Sequence, residues 1–183
     1  AQAMYELSRD LADAGTLDAV ADAVLRHVGR RVSGDAAVFL PPAEAPVLLR
    51  ASAGMPLGGN VFAAASGVLT HGAPAGQETE HFGDASEYFL PLRTAERVMG
   101  VLAVRPASEY GRLVPAQGRL LEAFASQVAV AMERVRLAEE ARRSYMLETA
   151  DKLQTALLRS ISHDLRTPLA TVAGALSSLL DPE

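Results

Sequence analysis

The sequence predicts an α+β fold: a central antiparallel sheet flanked by helices, followed by a long helix that enters a dimeric helical bundle. Three observations predict it. The predicted elements run helix, helix, strand pair, helix, strand pair, long helix, the order expected of helices laid on an antiparallel sheet. Two short apolar runs, 88–93 and 97–104, flank the polar Thr94-Ala95-Glu96 and read as a strand pair. From Pro115 to Pro168 proline and glycine all but vanish, with Gly118 the exception, and helix formers dominate.

Taken in order, residues 4–14 place Leu7 and Leu11 one turn apart and predict a short amphipathic helix. Thr16 is a suitable N-cap for a helix over 17–32, where Val20, Val24 and Val28 line one face. Residues 35–40 read as a strand stopped by Pro41-Pro42, and 47–51 as its hairpin partner. Val61, Ala64, Ala65 and Val68 fit one face of a helix over 60–71, and 72–77 reads as a loop. Pro115 suits a helix start. Uninterrupted helix from 115 to 167 would run roughly 80 Å, far longer than a small domain is wide. It needs a partner along its length, and a parallel dimer is the simplest supplier. The expected divisions are 1–130 for the α+β domain, 131–152 for a linking helix and 153–183 for the start of a helical bundle.

Composition narrows the function classes. The 183 residues are 49% hydrophobic, enough for a packed core. A net charge of −5 gives no support to a nucleic-acid surface. There is no cysteine, which excludes disulfides, zinc thiolates, cysteine nucleophiles and thiol-linked cofactors. No apolar run approaches the roughly 20 residues needed to span a bilayer, and the first residues do not read as a signal peptide. A cytoplasmic chain is expected.

The segment richest in chemistry is Ser160 to Leu169. Leu153, Leu157, Ile161, Leu165, Leu169, Val172 and Leu176 recur at spacings of three and four and form one apolar stripe. His163 lies two residues from both Ile161 and Leu165, which on a helix turns it roughly 200° away, toward solvent. Thr167 follows one turn later on the same face. Asp164 is adjacent. An imidazole with an ordinary pKa near ~6.5 offers a free lone pair at neutral pH, so it can accept a phosphoryl group. A neighbouring carboxylate can hold the ring and take a proton from its other nitrogen. Pro168 lacks an N–H and crowds the carbonyl of Asp164, which predicts a kink just past the histidine, a natural point for a conformational signal.

The run Ser162-His163-Asp164-Leu165-Arg166-Thr167-Pro168-Leu169 resembles the H-box of sensor histidine kinases with a dimerisation and phosphotransfer hairpin. The resemblance implies that His163 is the phosphoacceptor, Asp164 the general base, and Thr167 a residue that positions water during dephosphorylation of the response regulator. Upstream, His71-Gly72-Ala73-Pro74-Ala75-Gly76, Thr79, Phe89-Leu90-Pro91-Leu92 and Val98-Met99-Gly100-Val101-Leu102 are similar to a GAF domain. More narrowly they resemble that of Kdp-type potassium and osmotic sensor kinases, and residues 120–127 and 136–141 continue the match. That family implies a membrane protein of which this is a cytoplasmic portion, with membrane segments and an ATP-binding domain outside the chain. It implies ATP and Mg2+ as cofactors of the whole kinase and none in this piece, which alone should be inactive. Its partners would be a second copy through the long helices and a DNA-binding response regulator controlling potassium uptake.

Other readings stand beside these. His71 and His81, with Glu78 and Glu80, could suggest a metal site, but the spacing fits no ligand pattern and a solvated loop is the expectation. His27 is expected on a helix surface. The mixed charges of 133–152 are read as solvated helix faces. GAF domains often bind small molecules; nothing here selects one, and a ligand-free transmitting domain is expected. The alternatives are a ligand-binding GAF regulator whose helix is only a dimeric connector, and a degenerate kinase retained as a scaffold.

Overall fold

The structure, a computed structural model, describes the backbone of residues 2–77, 79, 82–83, 85–107 and 112–180, with side chains for all of these except 163, 164, 167, 175 and 177–180. The chain divides into two compact units, Ala1–Leu137 and Ala138–Glu183.

In the first unit, α1 (Gln2–Asp13) and α2 (Leu17–Val32) precede the strands β1 (Asp35–Leu40) and β2 (Val47–Ala51). Helix α3 (Gly59–His71) follows, then β3 (Ala75–Gly76), β4 (Tyr88–Arg93) and β5 (Val98–Arg105). Helix α4 (Pro115–Leu180) begins in this unit. The five strands form one sheet in the order β2-β1-β5-β4-β3, and every pairing is antiparallel. The expected hairpin is present, with Ala37 opposite Ala51 and Leu40 opposite Val47. The strand β3 falls inside the stretch expected to be loop. Its two residues, one of them Gly76 at φ 97°, carry no alternating pattern that could announce a strand. They pair with Tyr88 and Phe89.

Both faces of the sheet are covered. On one, Ala36, Val38, Leu90, Leu92, Leu102 and Val104 meet apolar residues of α1, α2 and α4. On the other, Ala37, Phe39, Phe89, Val101 and Ala103 meet Val61, Ala64, Ala65 and Val68 of α3. Two buried faces explain why β1 and β5 read as unbroken apolar runs rather than alternating ones. Local signals set the helix ends. The Thr16 hydroxyl accepts from the Ala19 amide at 3.2 Å, the expected N-cap of α2. Gly72 closes α3 in the left-handed region at φ 66°, its amide donating to the Val68 carbonyl at 2.8 Å.

The first part of α4 lies on the sheet through Leu121, Phe124, Val128, Met132 and Val135, all buried at spacings of three and four. Each such burial is worth about 1.5–3 kcal/mol. Exposed ion pairs, at about 0–1 kcal/mol, cannot compete with that. Gly100 permits the close packing beneath: a Cβ there would lie 2.5 Å from the Phe39 carbonyl oxygen and 3.5 Å from Met132 Cε. Gly118, in the first turns of α4, has open space around it. In urea titrations we expect Gly100→Ala to lose about 1–3 kcal/mol by overpacking. Gly118→Ala should gain up to about 1 kcal/mol of helix propensity. Equal effects at the two sites would contradict this packing.

Candidate functional site

Helix α4 is continuous over 66 residues and holds Pro168 in its interior, so the backbone stays helical on both sides of the proline. It carries the run from Ser160 to Leu169 in full. The side chains of His163, Asp164 and Thr167, the three residues expected to do chemistry, lie outside the described residues, and their backbone is part of α4. What surrounds them is described. Leu153, Leu157, Ile161, Leu165, Leu169, Val172 and Leu176 are each more than half exposed in the single chain, as is Leu158. An apolar stripe of that length is far more than isolated surface leucines. Arg159 and Arg166 lie one heptad apart and line a shallow depression with Thr155, Leu158 and Ser162.

In the first unit a cleft of about 600 Å³ opens beside the start of α3, lined by Asn60, Phe82, Gly83, Ser86, Glu87 and Phe89 among others. Phe82 holds a positive φ of 59° there. His81, Glu78 and Glu80 of the conceived metal site lie outside the described residues, while His71 Nδ1 is 2.8 Å from the Gly67 carbonyl of its own helix. Among the described residues no three His, Asp or Glu side chains gather as a metal site would require.

The expectation for His27 is overturned. It is 2% exposed, wedged where α1, α2 and α4 meet. Its Nε2–H donates to Asp10 Oδ2 at 3.0 Å, and its ring stands edge-on to Phe124 at 6.2 Å. Its Nδ1 is buried and has no hydrogen-bond partner among the described residues. The surface reading failed because Asp10, which satisfies the other nitrogen, lies seventeen residues away on another helix. The charges at the start of the 133–152 run are also not simply solvated. Glu133 accepts from Arg136 at 2.9 and 3.1 Å and from Arg97, on the β4–β5 turn, at 3.3 Å. Arg134 donates to the main-chain carbonyls of Leu11, Ala12 and Ala14. No local motif marks these residues, since their partners are far away in sequence.

The hydrogen bond from His27, with further help from Arg26, holds the Asp10 carboxyl below its usual range. The hydrogen bond and charge of Arg136, with Arg97, do the same for Glu133. A depressed folded pKa stabilises the fold above the unfolded value, near ~4, and that contribution is lost as pH falls through the folded value. Stability measured from pH 6 to pH 2 should therefore drop below about pH 4. Asp10→Asn should make that drop shallower, and an unchanged acid slope in the variant would contradict the pairing.

The comparisons with known proteins agree with this architecture. The GAF domain family matches residues 36–134, and the His Kinase A (phospho-acceptor) domain family matches residues 153–183. "Sensor protein KdpD" of Clostridium acetobutylicum is 36% identical over 119 residues, which cover 65% of this chain and 13% of that protein. The protein of that name from Escherichia coli K12 is 37% identical over 103 residues, covering 56% and 12%. The chain thus spans about an eighth of the curated relatives it matches. The solved native GAF domain of the Escherichia coli potassium sensor histidine kinase KdpD superposes with a TM-score of 0.68 at 27% identity, covering 76% of this chain and 97% of that one. The chain belongs to the GAF domain family, joined here to the start of a His Kinase A domain of the kind found in Kdp-type sensor histidine kinases.

Proposed function

We propose that this chain is the junction between sensor and catalytic core in a two-component sensor histidine kinase, and that His163 is its phosphoacceptor. The observation that carries the reading is the coincidence on one continuous helix of a GAF-docked beginning and a His Kinase A segment. In this reading a ring nitrogen of His163 attacks the terminal phosphoryl group of Mg-ATP, ADP departs, and Asp164 takes the proton from the other ring nitrogen. Thr167 positions water when the phosphorylated response regulator is hydrolysed. Pro168 removes one main-chain hydrogen bond beside the histidine, which makes that turn the softest of the segment. The ATP-binding domain, the membrane segments and the regulator lie outside the chain, and the stimulus is potassium or osmotic stress by analogy with the KdpD sensor proteins.

The exposed stripe from Leu153 to Leu176 supports a second copy of the chain as its partner. On the GAF side, α3 packs directly on the sheet, with Phe62 edge-on to Phe39 at 5.2 Å. In this reading the GAF unit transmits the signal to α4. Residues 131–152 are the link between the two activities.

The test uses the full-length kinase with labelled ATP. His163→Gln should abolish acid-labile incorporation, a loss of at least about a hundredfold, because the substitution removes the proposed acceptor nitrogen. Thr167→Ala should keep autophosphorylation within a few-fold and slow regulator dephosphorylation. Histidine labelling that survives His163→Gln would overturn the assignment.

A further inference from the structure

Besides the burial of Leu7 and Leu11 in the core, helix α1 is held by two kinds of polar contact. Toward α2 they join side chain to side chain: Glu6 with Arg31 at 3.1 Å, and Asp10 with Arg26 and His27. Toward α4 the main contact is of another kind. The Arg134 guanidinium donates from Nη2 to the Leu11 and Ala14 carbonyls at 2.7 and 2.8 Å, and from Nη1 to the Ala12 carbonyl at 3.0 Å. Leu11 and Ala12 belong to the last turn of α1, where the helix dipole favours a cation; the Leu11 carbonyl also accepts from the Ala14 amide at 3.2 Å and offers the arginine its second lone pair. An arginine 120 to 123 residues further along the chain therefore caps this helix.

The geometry has a consequence. The acceptors are main-chain oxygens whose spacing is fixed by where the helix stops. A planar fork of donors can meet several oxygens of fixed spacing at once. It senses the position and integrity of the α1 terminus, not the identity of its side chains. At the other end, Arg134 is an exposed residue in the last turns of α4 that pack on the sheet, where Met132 and Val135 are buried. A second tie, Ser8 Oγ to Gln127 Oε1 at 3.3 Å, lies two turns earlier on α4. We infer that Arg134 is a positioning residue that couples the C-terminal end of α1 to the last docked turns of α4, so that a change in α1 is felt by the output helix. Both ends of the coupling lie in the first unit, and the inference stands whether or not His163 is phosphorylated.

Coupling is demonstrated by a double-mutant cycle, not by contact alone. Ala12 is exposed, so Ala12→Gly frays the end of α1 without removing any side-chain contact. Hydrogen exchange would be followed by mass spectrometry in the 183-residue chain, over residues 4–13 and 128–137, with 98–105 as the internal reference. Ala12→Gly alone should speed exchange about fivefold in 4–13 and also, by a smaller factor, in 128–137. In the Arg134→Ala background the same change should speed exchange in 4–13 and leave 128–137 unaltered. If Arg134→Ala fails to fold, Arg134→Lys, which keeps the charge and loses the fork, takes its place in the cycle. An effect of Ala12→Gly on 128–137 that is the same with and without the Arg134 fork, or absent in both, would overturn the coupling.

Discussion

A helix of 66 residues cannot bury its apolar side chains in one small domain, and this constraint organises the molecule. The first third of α4 solves it locally, placing Leu121, Phe124, Val128, Met132 and Val135 on a sheet already covered on its other face by α3. In the second unit, which begins at Ala138, the large apolar residues from Leu153 to Leu176 are more than half exposed. Water does not tolerate such a stripe cheaply. A helix that is satisfied at one end and unsatisfied at the other belongs in an assembly, and a phosphoacceptor segment at the unsatisfied end gives that assembly a purpose.

Within the GAF unit, apolar and polar contacts divide the labour. Burial on the sheet supplies most of the stabilisation, at about 1.5–3 kcal/mol per large side chain. It is non-directional, and by itself it would leave α4 free to slide or rotate. Direction comes from polar groups at the rim. Arg97 and Arg136 hold Glu133, Arg134 holds the end of α1, and Asp10 holds His27 against Phe124. These contacts join α1, α2, α4 and the β4–β5 turn, the elements that flank the path from the start of the chain to the output helix. Helix α3, on the opposite face, meets the sheet through apolar contacts.

Much of this was legible in the residues. Strands β4 and β5 are short apolar runs closed by a polar turn, and Thr16 announced α2 because the Ala19 amide needs an acceptor. The change of character at Pro115 announced α4. The H-box was visible because its residues are contiguous. The apolar stripe through Val172 and Leu176 announced that the helix runs on past Pro168, as α4 does. Other features had no local signal. The two-residue β3 depends on Phe89 and Tyr88 for its pairing. The burial of His27 depends on a carboxylate from another helix, and the role of Arg134 on carbonyls that any sequence would carry. What is written in neighbouring residues could be read; what is written in distant pairs could not.

The central claim is that the stripe on α4 is completed by a second copy of the chain. The sequence contains no cysteine, so one introduced thiol reports on one position. Single cysteines would replace Leu153, Thr155, Leu157, Arg159, Ile161, Leu165 and Arg166 in turn, followed by mild oxidation. A disulfide needs Cα atoms within about 7 Å, so it forms only where two helices face each other. The account predicts rapid linkage between chains at Leu153, Leu157, Ile161 and Leu165 and slow linkage at Thr155, Arg159 and Arg166. Uniform linkage at every position, or none with the chain monomeric, would contradict it.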